Sequence, residues 1–146
     1  MEGHMEEYCG DMLLTQRLYK FNNRRYWNDR IITLKNIKEG IDRGVQEQLE
    51  PYGNEDMPFL EMKTKSDDWH IGRVIYFINH PEEIINIGVD NICNGMQITS
   101  IPIVTDGNHR LLAAMYLKLK KVHCLYGGRV DVLDYLMGKT KELPLM

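Results

Sequence analysis

The clearest periodic stretch of the chain is SDDWHIGRVIYFINHP, residues 66–81, where Trp69, Ile71, Val74, Ile75, Phe77 and Ile78 recur at helical intervals. Ser66 or Asp67 suits its start and Pro81 its stop, so a core helix is expected there. Beyond it, EIINIGV (83–89) and IPIVT (101–105) read as strands, with Pro102 near the start of the second, where it costs least. Asn94-Gly95 between them is a two-residue hairpin signal that sets DNIC antiparallel to MQIT. After a polar run at 106–110, HRLLAAMYLKL turns Leu111, Leu112, Met115 and Leu119 inward as a helix, with Lys118, Lys120 and Lys121 near its end. VHCLY is then a strand, Gly127-Gly128 a turn and RVDVLDYLMG a closing helix.

The first third is less regular. Met12, Leu14, Leu18 and Phe21 fall at roughly helical spacing, which predicts a first helix over 6–21. The apolar series Trp27, Ile31, Leu34, Ile37, Ile41, Val45 and Leu49 predicts one or two more helices, weakened by Gly40 and Gly44. Pro51, Gly53, Asn54 and Pro58 mark a loop, after which FLEMKTK is expected as a short edge strand.

This order of elements defines a mixed α/β or α+β domain with a small mixed sheet flanked by helices. With 146 residues, 43% of them hydrophobic, the chain suits one domain over 1–146 rather than two. Within it, residues 1–60 form an additional helical N-terminal segment and residues 66–138 the core.

The charge balance, 18 basic against 21 acidic residues, gives no global positive field of the kind that drives non-specific attachment to nucleic acid. DNA is therefore a disfavoured partner. Cys9, Cys93 and Cys124 form no C-x-x-C pair, which points to free thiols in a reducing compartment. The longest apolar run, Leu111–Leu117, is far short of the ~20 residues a membrane helix requires. A cytoplasmic location without membrane attachment is the expectation.

Signatures of phosphate loops, dinucleotide folds, zinc proteases and serine hydrolases are all missing from the sequence. His70, His80, His109, His123, Cys93 and Cys124 have no diagnostic zinc spacing, so neither zinc nor haem is expected.

Chemistry concentrates instead in Asp106, Gly107, Asn108, His109 and Arg110, where a strand hands over to a helix. The first N–H groups of a helix lack internal partners, and the helix dipole favours an anion beside them. Gly107 permits the sharp turn and a close approach of ligand to backbone, while Asn108 can cap or donate. Arg110 supplies a planar fork of donors for phosphate or carboxylate oxygens, and His109 can donate or take up a proton near neutral pH. Asp106 has three open roles: holding a cation such as Mg2+, accepting a proton from a substrate hydroxyl, or orienting His109. The same five residues also read as a plain helix start, with Asp106 as cap, Gly107 as turn and Arg110 paired to Asp106 or another carboxylate.

The stretch PIVTDGNHRLLAA, with LKKVHCLY after it, resembles the D-G-x-H-R motif and flanking elements of the ParB/sulfiredoxin-like superfamily. Together with the helix at 68 onward and the strand NIGV, the resemblance spans roughly residues 68 to 127. In ParB proteins the matching segment, G-E-R-R-x-x-A, cradles the triphosphate of CTP; Gly107, Arg110 and Ala113 stand in the same frame here, with Asn108 and His109 replacing Glu and the first Arg. Sulfiredoxins carry a cysteine in G-C-H-R, and Asn108 occupies that position. The D-G-x-H-R form is nearest to free serine kinases and small phage or plasmid ParB-like proteins. It implies Asp106 and His109 as catalytic residues and Gly107, Asn108, His109 and Arg110 as the phosphate-binding set. The implied ligands are ATP, ADP or CTP with Mg2+, or another phosphorylated small molecule, and the implied activity is phosphoryl transfer or nucleotide hydrolysis.

Asp90 and Asn91, just before the hairpin turn, and Gly128 and Arg129, at the opening of the last helix, are secondary candidates for the same ligand. Two further readings remain beside the enzymatic one. In the first, the scaffold is a non-catalytic protein-binding module or inhibitor of phage or mobile-element type that meets a protein partner through its N-terminal helices. The second, a ParB-like nuclease or DNA-binding protein, rests on the resemblance alone.

Overall fold

The computed structural model describes residues 5–23, 26–27, 30–49, 65–93 and 97–145. Its centre is a four-stranded mixed sheet whose strands are β1 (Met5–Leu14), β4 (Ile87–Cys93), β5 (Gln97–Asp106) and β6 (Lys121–Arg129), in the spatial order β1-β6-β4-β5. β1 runs antiparallel to β6, with Leu13 opposite Val122 and Gly10 opposite Leu125. β6 runs parallel to β4, with Val89 opposite Tyr126, and β4 pairs antiparallel with β5 through Val89↔Val104 and Ile92↔Ile98. The helices are α1 (Thr15–Lys20), α2 (Leu34–Arg43), α3 (Asp67–Asn79), α4 (Asn108–Tyr116) and α5 (Val130–Leu136). An α+β fold with a small mixed sheet is the outcome, as the hydrophobic pattern predicts.

Alternation explains the central strands. Val122, Cys124 and Tyr126 of β6 are buried, while His123 and Leu125 between them are only half-buried. With Val89, Val104, Leu111, Val74 and Leu133 these residues belong to one continuous core. Helix α3 begins at Ser66, whose hydroxyl accepts from the Trp69 N–H at 3.1 Å, and ends before Pro81, as the sequence indicates. It lies close against α2 at Gly40, where a Cβ would come within 2.5 Å of the Ile71 side chain.

The N-terminal segment carries α1 and α2, but residues 5–14 are a strand rather than the start of a helix. Met12 is 47% exposed and Leu13 fully buried, the reverse of what a helix stripe through Met12 requires. The partner that fixes this strand, β6, lies more than a hundred residues away, so local spacing could not reveal it. Among the described residues of 27–49, only Leu34–Arg43 is helical; Tyr26–Trp27 and Arg30–Ile31 instead pair as a two-residue antiparallel ladder of β2 and β3. Thr33 and Asn36 form a capping box that starts α2, and Gly44 closes it in the left-handed region.

Four boundaries also move. β4 begins at Ile87 rather than Glu83, and 97–106 is one strand, so Pro102 lies in its middle. That position is tolerated because β5 is a sheet edge. Asn22 takes the place of a neighbouring strand there: its amide donates to the Pro102 carbonyl at 3.0 Å and its Oδ1 accepts from the Val104 N–H at 2.9 Å. Gly127-Gly128 is not a turn but part of β6, which runs on to Arg129 and passes directly into α5. Helix α4 stops at Tyr116, and Lys118 turns the chain with φ 59°. The Asn94-Gly95 turn and most of the FLEMKTK segment lie outside the described residues; the strands on either side pair antiparallel as expected, but through Ile92↔Ile98 and Cys93↔Gln97, one residue away from the Cys93–Met96 pairing that a two-residue turn dictates. No described helix is long and apolar enough to cross a membrane.

Candidate functional site

Asp106 is the last residue of β5 and Asn108 the first of α4, with Gly107 between them at φ 98°. Only glycine enters that region readily, so the turn is written into the sequence. Gly107 is the N-cap, no side chain caps the helix, and the first intrahelical bond runs from the Leu111 N–H to the Gly107 carbonyl at 2.9 Å. The amides of Asn108, His109 and Arg110 therefore stand at an uncapped helix start.

Arg110 folds back over this turn, so that a Cβ on Gly107 would meet its guanidinium at 3.1 to 3.2 Å. The guanidinium donates to the Ile85 carbonyl at 2.6 Å and lies 3.3 Å from Asp106 Oδ2. Asp106 is well exposed, its side chain 79% accessible, while that of Arg110 is 18% accessible. The pair of a helix-start reading is thus present, although Asp106 does not cap the helix. Asn108 is half-buried and faces a small recess shared with Tyr19, Asn22, Asn23 and Ile32.

His109 points the other way. Its ring is buried against α3, where His109 Nε2 lies 2.9 Å from His70 Nδ1 and the two rings are nearly parallel. Burial, the neighbouring His70 and the positive charges of Arg73 and Arg110 together hold the His109 imidazole well below its ordinary range, so it is neutral at pH 7. Arg73, buried on α3, donates to the Gln48 and Leu49 carbonyls at 3.1 and 3.0 Å. Its guanidinium carbon and that of Arg110 lie 4.6 and 6.0 Å from the centroid of Phe77. The D-G-N-H-R run is thus two-sided: Asp106 exposed with the partly covered Arg110 beside it, and His109 in the core behind them.

His70 and Arg73 carry half of this arrangement, and the hydrophobic pattern of α3 left them without an assigned role. A signal existed for His70: it falls on the same helical stripe as Val74 and Phe77, and a histidine on an apolar stripe needs a buried partner. Which partner it finds depends on how α3 packs on α4, and spacing within one helix does not specify that.

The secondary candidates form a separate cluster. The Asn91 side chain is fully buried; its Oδ1 accepts from the Tyr126 hydroxyl at 2.5 Å and the Arg129 N–H at 2.7 Å, and its amide donates to the Ile101 carbonyl. A Cβ on Gly128 would overlap Asn91 Oδ1 at 2.1 Å. Arg129 makes a two-pronged contact with Asp131 at 3.0 and 2.7 Å, and this contact, with the Val132 N–H, holds the Asp131 carboxyl below its usual range. Asp90 Oδ1 accepts from the Ile92 N–H. These residues join β4, β5, β6 and α5 to one another, and none of these contacts reaches Gly107 or Arg110.

Asp106 places an exposed carboxylate beside the turn, the type of group a hard cation takes. Elsewhere, one ligand atom each from His80, Glu82 and Glu83 lies within 4.8 Å of the others on the surface, where His80 also contacts Glu47 at 3.3 Å. The buried Cys124 thiol is pushed up to about 12, chiefly by desolvation, which makes it inert as a nucleophile near pH 7.

Together these features define a small α+β protein with a glycine-turned strand-to-helix junction. Compared with protein-family models, curated proteins and solved structures, the chain matches none.

Proposed function

We propose that the β5–α4 junction binds the phosphate groups of a nucleotide, or of another phosphorylated small molecule, and supports phosphoryl transfer or hydrolysis. The observation that carries this reading is the uncapped start of α4 at left-handed Gly107 with the Arg110 guanidinium folded over it. Amides and guanidinium on one turn are the donors a phosphate requires. The resemblance of D-G-N-H-R to the ParB/sulfiredoxin-like motif supports the same residues, with ATP, ADP or CTP as ligand. Asp106 fits Mg2+ in this arrangement, because that ion takes one or two carboxylates plus phosphate oxygens and keeps water for the rest. His109 serves from behind the turn, where its pairing with His70 sets the position of the first turn of α4 and offers a route for a proton.

Calorimetric titration with nucleoside di- and triphosphates, with and without magnesium, tests the proposal. Saturable binding that Arg110→Ala weakens at least tenfold is expected. Absence of binding across the panel, or equal affinity of the variant, removes the reading.

One observation favours a second reading, a non-catalytic protein-binding module: Arg110 is already engaged by Asp106 and the Ile85 carbonyl, and His109 is buried. Association with a protein partner that survives joint Asp106→Ala and Arg110→Ala substitution is its test.

A further inference from the structure

At the opposite end of α4 from Gly107 lies a groove of about 620 Å³. Its floor is apolar and half-buried, made by Leu14 at the end of β1, Leu34 at the start of α2, and Met115 and Leu119 around the end of α4. Its rim is cationic, with Arg17, Lys118 and Lys120 and no carboxylate among the lining residues. Arg17 Nη1 donates to the Tyr135 and Thr140 carbonyls at 2.6 Å each and the guanidinium stacks over the Tyr135 ring, while no described carboxylate pairs with its charge. Lys118 and Lys120 are exposed and make no ion pair with any described residue. Three uncompensated cations around an apolar floor are a local reversal of sign in a chain of net charge −3.

Lys118 reaches this rim from a left-handed backbone, φ 59°, at the position after the helix C-cap where glycine is ordinarily found. The Leu119 N–H returns to the Ala114 carbonyl at 3.0 Å and the Lys118 N–H to Met115, which closes the helix and directs Leu119 onto the floor. Attraction of lysines to a helix C-terminus explains neither the strained residue nor the apolar floor beneath it.

We infer that this groove binds a single-chain amphipathic carboxylate of fatty-acid type, its apolar tail on Leu14, Leu34, Met115 and Leu119 and its carboxylate among Arg17, Lys118 and Lys120. The volume lies within the range of small-molecule sites, roughly 300–1,000 Å³, and such sites combine mostly apolar walls with a few polar groups that fix orientation. The charge complementarity selects an anion over a neutral lipid. The groove shares no lining residue with the Gly107 turn, so this assignment stands or falls separately from the nucleotide reading.

Titration of the full chain with decanoate, followed by methyl resonances of Met115 and Leu119, is the test. One saturable site is expected, with those methyls among the most shifted. Lys118→Gln with Lys120→Gln, both at exposed positions, should leave the melting temperature near that of the parent and weaken decanoate about tenfold, the sum expected of two exposed charge contacts. Three outcomes overturn the assignment: no saturable shift of these methyls, decan-1-ol binding as tightly as decanoate, or unchanged affinity in the double variant. Displacement of decanoate by an acidic amphipathic peptide of higher affinity also overturns it, in favour of a protein-docking face.

Discussion

His70 Nδ1 and His109 Nε2 share one hydrogen bond of 2.9 Å in the core between α3 and α4, so one ring donates and the other accepts. The contact joins the D-G-N-H-R turn to α3 and places two arginines, Arg73 and Arg110, near a His109 ring that is held neutral.

That neutrality makes the fold acid-sensitive. The His109 imidazole is held below its ordinary value of 6.5 in the folded state, so the unfolded chain binds a proton that the native one refuses. The sign follows: stability is complete above pH 6.5, falls as pH drops below it, and goes on falling until the depressed native value is reached. Urea unfolding at intervals from pH 7.5 to 5 should show this decline, and His109→Gln should flatten it. At pH 7.5 the same variant should lose roughly 1–3 kcal/mol for the disturbed buried hydrogen bond. A parallel decline in parent and variant would place the sensitivity elsewhere.

Asn91 should behave as a structural residue. It is the acceptor for both the Tyr126 hydroxyl and the Arg129 N–H, and each sits in the interior. Asn91→Leu strands these donors and should cost about 2–4 kcal/mol, whereas Tyr126→Phe, which removes one hydroxyl and leaves Asn91 bonded to Arg129, should cost about 1 kcal/mol. Chemical denaturation measures both. Nucleotide affinity per folded molecule should be unchanged in either variant.

Comparison of the two halves of the chain explains what could be read in advance. From Ser66 onward, caps, prolines and alternation act locally, so α3, the β4–β5 pairing, α4, β6 and α5 were all legible to within a few residues. In the first half the deciding partners are distant: β1 is fixed by β6, and Asn22 by the edge of β5. The Gly107 turn was likewise legible, because a left-handed φ at a strand-to-helix junction demands glycine. The inward turn of His109 was not, since its partner His70 is 39 positions away on another helix.

Asp106 offers a separation of stability from function. Its contact with Arg110 is an i,i+4 pair at 3.3 Å whose carboxylate is exposed and well solvated, worth little to the fold, so Asp106→Asn should change stability by no more than about 0.5 kcal/mol. The same substitution should abolish the magnesium dependence of nucleotide affinity, read by calorimetry at matched ionic strength. Gly107→Ala should do the converse damage: an L-residue at φ 98° costs roughly 1–2 kcal/mol and its Cβ presses on the Arg110 guanidinium, so stability and anion affinity fall together.

Lys118 sets stability against ligand binding at the other end of the same helix. Its left-handed backbone, φ 59°, is a conformation that costs an L-residue roughly 1–2 kcal/mol. Glycine removes that cost but adds conformational freedom to the unfolded chain, so Lys118→Gly should gain a net of about 0.5–1 kcal/mol. For a domain of this size the melting temperature should rise by about 2 °C. Because the substitution also deletes a rim cation, decanoate should bind more weakly to the stabilised variant. Lys118→Asn, which tolerates the left-handed region and also lacks the charge, should reproduce both effects in smaller degree for stability and equal degree for binding. A stabilised variant that binds decanoate as the parent does would separate the strained backbone from the groove and leave it as a feature of helix termination alone.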